Sequence, residues 1–358
     1  MPEVIEAFKG FCLELFANPS SAHEFGRFVK EKLEEFRKSF AQLINADPEE
    51  IIFTSGGTES NHLALFGSVL NCKKGHILIS AFEHPSVLKP AEELSKRGYK
   101  VELIPVSPEG YVEPDTVKKF IKPDTIFVSV MFANNEIGTI QPVKEIASLC
   151  RERGIIFHTD ACQAVGKIPV DVKELGCDLL SIAGHKMYAP KGIGALYIRK
   201  GVKIKPIFLG GGQEKGIRAG TEPVALISAL TRAGEIARKD LSAEAERLVY
   251  LREKFFKELK EIYPELYRYG IPEKTLPNTL TVSFVGRSGA GILSEIPEIC
   301  ASTGSACHDR KGSTTLSALG VKPEIAEGTI RFSLGRLTTL EDIEKAVEFL
   351  EKYFRKNG

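Results

Sequence analysis

The sequence predicts an α/β protein in which a mainly parallel sheet is sandwiched by helices and followed by a smaller α+β C-terminal domain. Short apolar runs recur at 51–55, 76–80, 101–106, 125–132, 155–161, 179–183 and 195–200, and most are separated by helix-like segments such as VKEIASLCRERG at 143–154. Strands apolar on both faces that alternate with helices indicate a parallel sheet covered on both sides. The alternation stops after Lys200, and a charge-rich helical tract from Pro223 to about Ile262 leads into LPNTLTVSFVG and later IRFSLGR. At 358 residues the chain exceeds what one core usually organises, which also argues for a second domain.

Taken in order, Phe25, Phe28, Val29, Phe36, Phe40 and Leu43 recur at helical spacing between Ser21 and Ile44, with Glu, Lys and Arg between them, and predict an amphipathic helix. The apolar runs then supply the strands, and Leu340 to Phe354 supplies a closing amphipathic helix. The expected division is an N-terminal segment 1–10 packing on the small domain, a large domain 11–240 and a small domain 241–358 that carries Cys307. There is no internal repeat and no low-complexity tract.

Composition narrows the function. Hydrophobic residues make up 43% and charged residues 27%, which is ordinary for a folded globular protein. A net charge of +1 with interspersed signs offers no stripe for nucleic acid or an anionic membrane surface. The cysteines, Cys12, Cys72, Cys150, Cys162, Cys177, Cys300 and Cys307, are odd in number and widely spaced. Without a CxxC pair they read as reduced thiols and not as a metal site. MPEVIEAFKG has no basic segment followed by an apolar run, and no apolar stretch is long enough to cross a bilayer, so the expected location is the cytoplasm.

In open α/β sheets ligands bind beyond the carboxyl ends of the strands, and polar residues collect there. GGTES follows IIFTS, so that Gly57 and Thr58 would open a helix whose first N–H groups suit a phosphate. His84 follows HILIS, Asn134 and Asn135 follow TIFVSVMF, Asp160 ends IIFHTDA with Gln163 just beyond, and Lys186 follows LLSIAGH. Each alone has a plainer reading: a Gly-Gly turn with a Thr cap begins many helices, an Asp at a strand end caps the next one, and a lone Lys is usually solvated. Together, a phosphate seat, a carboxylate and an amine on three strand ends are what pyridoxal phosphate needs, with His84 able to stack on the ring and carry protons.

The segments FTSGGTESNHLA, NNEIGTIQPV, HTDACQAVGKIPVDV, GHKMYAPKGIGALYIR, GGGQEKGIRAGTE, STGSAC and IRFSLGR occur in this order along nearly the whole chain. On them the sequence resembles the cysteine desulfurases, NifS/IscS-type members of the class V aminotransferase superfamily with the fold type I architecture of pyridoxal-phosphate enzymes. The resemblance implies removal of sulfur from L-cysteine, giving L-alanine and a persulfide on Cys307, for an iron-sulfur scaffold or sulfur-relay protein. It implies Lys186 as the amine that binds pyridoxal 5'-phosphate covalently, Asp160 on the pyridinium nitrogen, Gln163 on the phenolic oxygen and His84 over the ring. Gly57, Thr58 and His185 would hold the phosphate, Asn135 would lie near substrate and cofactor, and Thr221 would reach the phosphate of a partner subunit in a homodimer. Arg331 would grip the substrate carboxylate with Asn18 beside it.

Cys307 is flanked by Gly304, Ser305, Gly312 and Ser313, which predict a mobile loop, and His308, Arg310 and Lys311 are expected to lower its thiol pKa. An iron-sulfur species would meet Cys307 only through its persulfide, and no resident metal is expected. The chain departs from the family's pattern in three places. Relatives carry a strand and an Asn-Ala-Thr loop ahead of the point where this sequence begins, so impaired activity is one expectation. Ala183 stands where relatives place a phosphate-binding serine, and HDRKGSTTLSALG after Cys307 is short. ASTGSACH also resembles the selenocysteine lyases, which keeps that activity open as an alternative, beside a catalytically impaired partner protein of the same fold.

Overall fold

The computed structural model describes residues 1–303 and 313–357; Cys307, with Gly304, Ser305, His308, Arg310, Lys311 and Gly312, lies outside the described residues. The chain divides into two compact units, one of Met1–Ile104, Glu113–Phe132 and Pro142–Leu241, the other of Pro105–Val112, Ala133–Gln141 and Ser242–Gly358.

The first unit is built on a seven-stranded sheet of β1 (Ile51–Thr54), β2 (His76–Ser80), β3 (Lys100–Ile104), β4 (Thr125–Ser129), β5 (Ile156–Asp160), β6 (Leu179–Ala183) and β7 (Gly194–Ile198), in the order β1-β7-β6-β5-β4-β2-β3. Every expected apolar run became a strand. The pairs from β6 through β5, β4 and β2 to β3 are parallel, whereas β7 runs antiparallel to both β1 and β6. The edge strand β3 carries exposed Lys100 and half-buried Glu102, charges that discourage pairing with another chain.

Helix Gly57–Val69 is buried on nearly all sides, with Leu63, Leu65, Phe66 and Val69 packed in one core with Ile52, Ile77, Ile79, Phe127 and Leu196. A helix in that setting must satisfy its polar side chains internally. Ser60 Oγ donates to the Ala195 carbonyl at 3.0 Å and Ser68 Oγ to the Ala64 carbonyl at 2.6 Å.

Three expectations about organisation need correction. The N-terminal segment, expected on the small domain, forms helix Pro2–Leu13 and packs within the first unit on helix Val224–Lys239. Its buried Val4, the edge-to-face pair of Phe11 with Phe36 at 4.9 Å, and the Ser228 hydroxyl bonded to the Ala7 carbonyl at 2.9 Å account for that. Segments 105–112 and 133–141, expected in the large domain with Asn135, belong to the second unit. There the Ile140 N–H donates to the Lys274 carbonyl at 2.7 Å, the Leu276 N–H to the Gly138 carbonyl at 2.9 Å, and Thr281 Oγ1 to the Glu136 carbonyl at 2.6 Å. Finally, the helical tract 223–262 breaks at Asp240 into Val224–Lys239 and Leu241–Ile262.

The second unit carries an antiparallel sheet of β8 (Leu266–Arg268), β9 (Thr279–Phe284), β10 (Ser302–Thr303) and β11 (Thr329–Ser333), in the order β10-β11-β9-β8. Leu251, Phe255 and Leu259 from helix Leu241–Ile262, and Leu350 and Phe354 from helix Leu340–Asn357, share its core with Val282, Phe284, Ile330 and Phe332. Among the described residues no helix is long and apolar enough to cross a membrane.

Candidate active site

The first unit gathers its ionisable groups at the carboxyl ends of the parallel strands. Asp160, the last residue of β5, is 5% exposed and receives two hydrogen bonds: Cys162 N–H to Oδ1 at 3.0 Å and Asn61 Nδ2 to Oδ2 at 2.7 Å. Both donors favour an ionised, acceptor-only carboxylate, and each oxygen keeps a second lone-pair direction for another donor.

Lys186 is exposed on the short turn Gly184–Met187 that follows β6, and the turn ends with Tyr188 at φ 70. Cys162 feels the charge of both the acid and the amine. A Cβ built on Gly57 would stand 2.6 Å from Cys162 Sγ and 3.2 Å from the Ala183 Cβ, so the first turn of helix Gly57–Val69 rests on these two side chains. Although Cys162 is partly exposed, its sulfur faces this packed corner. Loss of water pushes its thiol well above the usual value, the Asp160 carboxylate adds to the rise, and Lys186 and Lys167 oppose it. This thiol is therefore a neutral packing group that senses both the acid and the amine.

Around the same corner the field favours an anion. The His185 imidazole is pulled below its usual value by lost hydration first, then by the ammonium groups of Lys186, Lys191 and Lys167. Thr58 is exposed at the second position of helix Gly57–Val69, where N–H groups lack intrahelical acceptors. Gln163 is half-buried and accepts from Lys167 Nζ through Oε1 at 2.6 Å.

Two further buried groups bear on the charge of the site. Glu83 is 1% exposed; burial pushes it up to about 8, the Asp160 carboxylate adds to the rise, and the Ser80 hydroxyl and Met131 N–H pull against it. Its Oε1 accepts from Ser80 Oγ at 2.6 Å and from Met131 N at 2.5 Å, whereas Oε2 has no partner. Below that value Glu83 is neutral. His158, held between Ser129 Oγ and Ser181 Oγ at 2.9 Å each, is pulled down to about 4 by burial against the opposing pull of Asp160, and is neutral at physiological pH.

His84 caps helix Pro85–Lys96, with Nδ1 accepting from the Ser86 N–H at 3.1 Å and lying 2.7 Å from Ser86 Oγ. Thr221 is exposed, and its neighbours tie the preceding loop to helix Gly57–Val69: Arg218 Nε donates to Glu59 Oε1 at 2.9 Å and the Gly220 N–H to Gln213 Oε1 at 3.2 Å. Asn18 is exposed and caps a local turn, its Oδ1 accepting from the Ser20 N–H at 2.9 Å.

In the second unit, Arg331 on β11 donates through Nη1 to the Asn135 carbonyl at 2.6 Å and through Nη2 to Ser302 Oγ at 3.3 Å. Its buried Nε has no partner among the described residues. A guanidinium fixed at both ends with one donor unsatisfied suits an arriving carboxylate. Asn134, beside Asn135, accepts the N–H groups of Glu136 and Ile137 at 2.8 and 3.0 Å and so shapes the turn.

Sequence reasoning missed Asn61, Ser86 and Glu83. Asn61 lies one helical turn beyond Gly57, and Ser86 is the second helical residue after His84, where an N-cap side chain meets the backbone; both positions would have flagged them as neighbours of expected site residues. Glu83 carries no comparable signal, because nothing local distinguishes it from a solvated glutamate.

A mainly parallel sheet with an acid, an amine and an anion-favouring helix start at its strand ends defines the architecture of the class V aminotransferases. The chain matches the Aminotransferase class-V family over residues 1–346, and it belongs to that family. It is 48% identical over 360 residues to a cysteine desulfurase IscS of Dictyoglomus turgidum, covering 99% of this chain and 91% of the relative. A solved NifS-like protein superimposes with a TM-score of 0.93 at 36% identity, covering 99% of this chain and 96% of the other. The solved structure of SspA in complex with cysteine superimposes with a TM-score of 0.82 at 33% identity, over 93% of this chain and 95% of the other.

Proposed function

We propose that the chain is a pyridoxal 5'-phosphate-dependent cysteine desulfurase that converts L-cysteine into L-alanine and a persulfide on Cys307. The persulfide sulfur passes to an iron-sulfur scaffold or sulfur-relay protein, and the enzyme works as a cytoplasmic homodimer. The observation that supports this most strongly is the Cys162 corner, where the Asp160 carboxylate and the Lys186 ammonium act on one thiol packed against Gly57. On this reading acid, amine and helix start would serve the three polar edges of a single small cofactor.

Asp160 would hold the pyridinium nitrogen and Gln163 the phenolic oxygen, with His84 over the ring. Thr58, His185 and the N–H groups at Gly57 would hold the phosphate, with Thr221 of each protomer serving its partner's. Bound, the cofactor supplies an electron-withdrawing ring that makes the substrate Cα proton acidic and loosens the bond from Cβ to sulfur. Lys186 takes and returns the Cα proton. Arg331 binds the substrate carboxylate, helped by Asn135 and Asn18. Cys307 Sγ attacks as the thiolate: a sulfur–sulfur bond forms, the Cβ–S bond breaks with its electron pair left on carbon, and protonation there yields alanine.

Alanine and sulfide measured together from purified protein with cysteine and a reductant test the reading. Equimolar products are expected, with Cys307→Ala binding cofactor but releasing no sulfide and Lys186→Ala failing to bind cofactor covalently. Amine exchange that depends on a keto acid, with no sulfide, would overturn it. Turnover of selenocysteine with none of cysteine would replace it with the selenocysteine lyase activity.

A further inference from the structure

We infer that Asn61 is a positioning residue that fixes the direction of a hydrogen-bond chain from Asp160 to His84 and thereby holds neutral His84 as the tautomer protonated on Nε2. The inference rests on the proposed reading only in giving His84 and Asp160 work to do; the direction of the chain follows from the hydrogen-bond distances together with the acceptor character of the Asp160 carboxylate.

Four side chains make the chain, all in the first unit. Asn61 is 1% exposed, Asp160 5% and Ser86 9%, so water contributes little to the bonding among these three, whereas His84 at the end of the chain is exposed. Asn61 Nδ2 lies 2.7 Å from Asp160 Oδ2 and 2.8 Å from Ser86 Oγ. An amide can be turned end for end, but here the carboxylate decides: an ionised oxygen only accepts, so the NH2 group must face Asp160, and turning it would set two oxygens against each other. The second hydrogen of the same nitrogen then goes to Ser86 Oγ. The cost of this arrangement is visible at the other end of the amide, where the buried Asn61 Oδ1 has no partner among the described residues.

With Ser86 Oγ accepting from Asn61, its own proton is directed to His84 Nδ1 at 2.7 Å. The Ser86 backbone N–H points at the same nitrogen from 3.1 Å, as the cap of helix Pro85–Lys96. Two donors converge on Nδ1, which must therefore keep its lone pair, and the proton of the neutral ring belongs on Nε2. Polarity runs one way, from the anion outward. In the proposed reaction His84 consequently meets its partners through an N–H group, as a proton donor and not as a base, and Asp160 sets that state from two residues away.

Selective 15N labelling of histidine tests this on cofactor-free protein, with the His84 signals assigned by their loss in His84→Asn. The wild type should show a protonated Nε2 and a pyridine-like Nδ1. Ser86→Ala removes the hydroxyl donor and leaves the capping N–H, and Asn61→Asp turns the hub from donor to acceptor so that the Ser86 proton is drawn away from the ring. Each should raise the Nδ1-protonated population about fivefold, the worth of one ordinary hydrogen bond. A wild-type ring protonated on Nδ1, or a tautomer ratio unmoved in both variants, would overturn the inference. Failure of the wild type to bind pyridoxal phosphate would instead overturn the proposed function and leave the tautomer measurement standing.

Discussion

Arg37 and Glu214 form a buried two-pronged ion pair, with Nη1 donating to Oε2 at 2.9 Å and Nη2 to Oε1 at 2.7 Å. The side chains are 5% and 2% exposed, and Glu214 also accepts the Phe53 N–H at 2.8 Å, while Arg37 donates to the Ile51 carbonyl at 3.0 Å. This pair pins the loop that leads to Thr221 onto the start of β1. It also explains how Glu214 and Lys215 keep left-handed backbone conformations, φ 47 and 61, that non-glycine residues avoid.

Glu214→Gln should therefore destabilise the protein by about 3 kcal/mol, because it leaves the buried Arg37 guanidinium with the exposed Glu34 carboxylate, 3.1 Å from Nε, as its remaining ionic partner. Urea unfolding should show a lower midpoint with an unchanged slope. Arg37→Met added to it should cost less than the sum of the two single changes, since no unpaired charge then remains buried.

Glu83 predicts a stability that falls as the solution becomes more alkaline. Its folded value, about 8, lies above the unfolded one, so between 4.5 and 8 the native state holds a proton that the unfolded chain has released. The contribution is complete below the unfolded value and lost as pH rises through about 8, at about 1.4 kcal/mol per pH unit at most. His158 slopes the other way: its folded value of about 4 lies below the unfolded 6.5, so its contribution is lost as pH falls between them. The two oppose each other in acid, and Glu83 stands alone from about 6.5 to 8. Urea midpoints across that window should drop for the wild type and stay level for Glu83→Gln.

Gly57→Ala should be costly even though the helical backbone there accepts alanine. The new methyl would meet Cys162 Sγ at 2.6 Å, an overpacking penalty of about 1 to 3 kcal/mol. Cys162→Ala in the same chain should recover most of the loss, and thermal unfolding of the four variants of this cycle measures the coupling.

Arg331→Lys should raise the KM for cysteine by about 10- to 100-fold with a smaller change in kcat, because a single ammonium cannot reproduce the fork held by Asn135 and Ser302. Steady-state kinetics decide it. An unchanged KM would remove Arg331 from carboxylate binding.

The strand ends were legible because the period and bulk of apolar residues report burial directly: IIFTS, LLSIA and ALYIRK became β1, β6 and β7. Their directions were not, since a run such as ALYIRK reads alike whether it pairs parallel or, as observed, antiparallel with both neighbours. Helix Gly57–Val69 gave no amphipathic stripe, because it is buried on nearly all sides, and so Asn61 within it carried no outward mark of its place beside Asp160.

The sequence by itself determined the layered α/β architecture, the strands and the residues at their ends, because these follow from hydrophobic periodicity and local turn chemistry, which act over a few residues. Only the tertiary structure decided that helix Pro2–Leu13 belongs to the first unit, that Asn135 belongs with Arg331 in the second, and that burial raises the Glu83 carboxyl to about 8. Those outcomes depend on desolvation and on hydrogen bonds between segments far apart along the chain, and neither exists until the chain has folded.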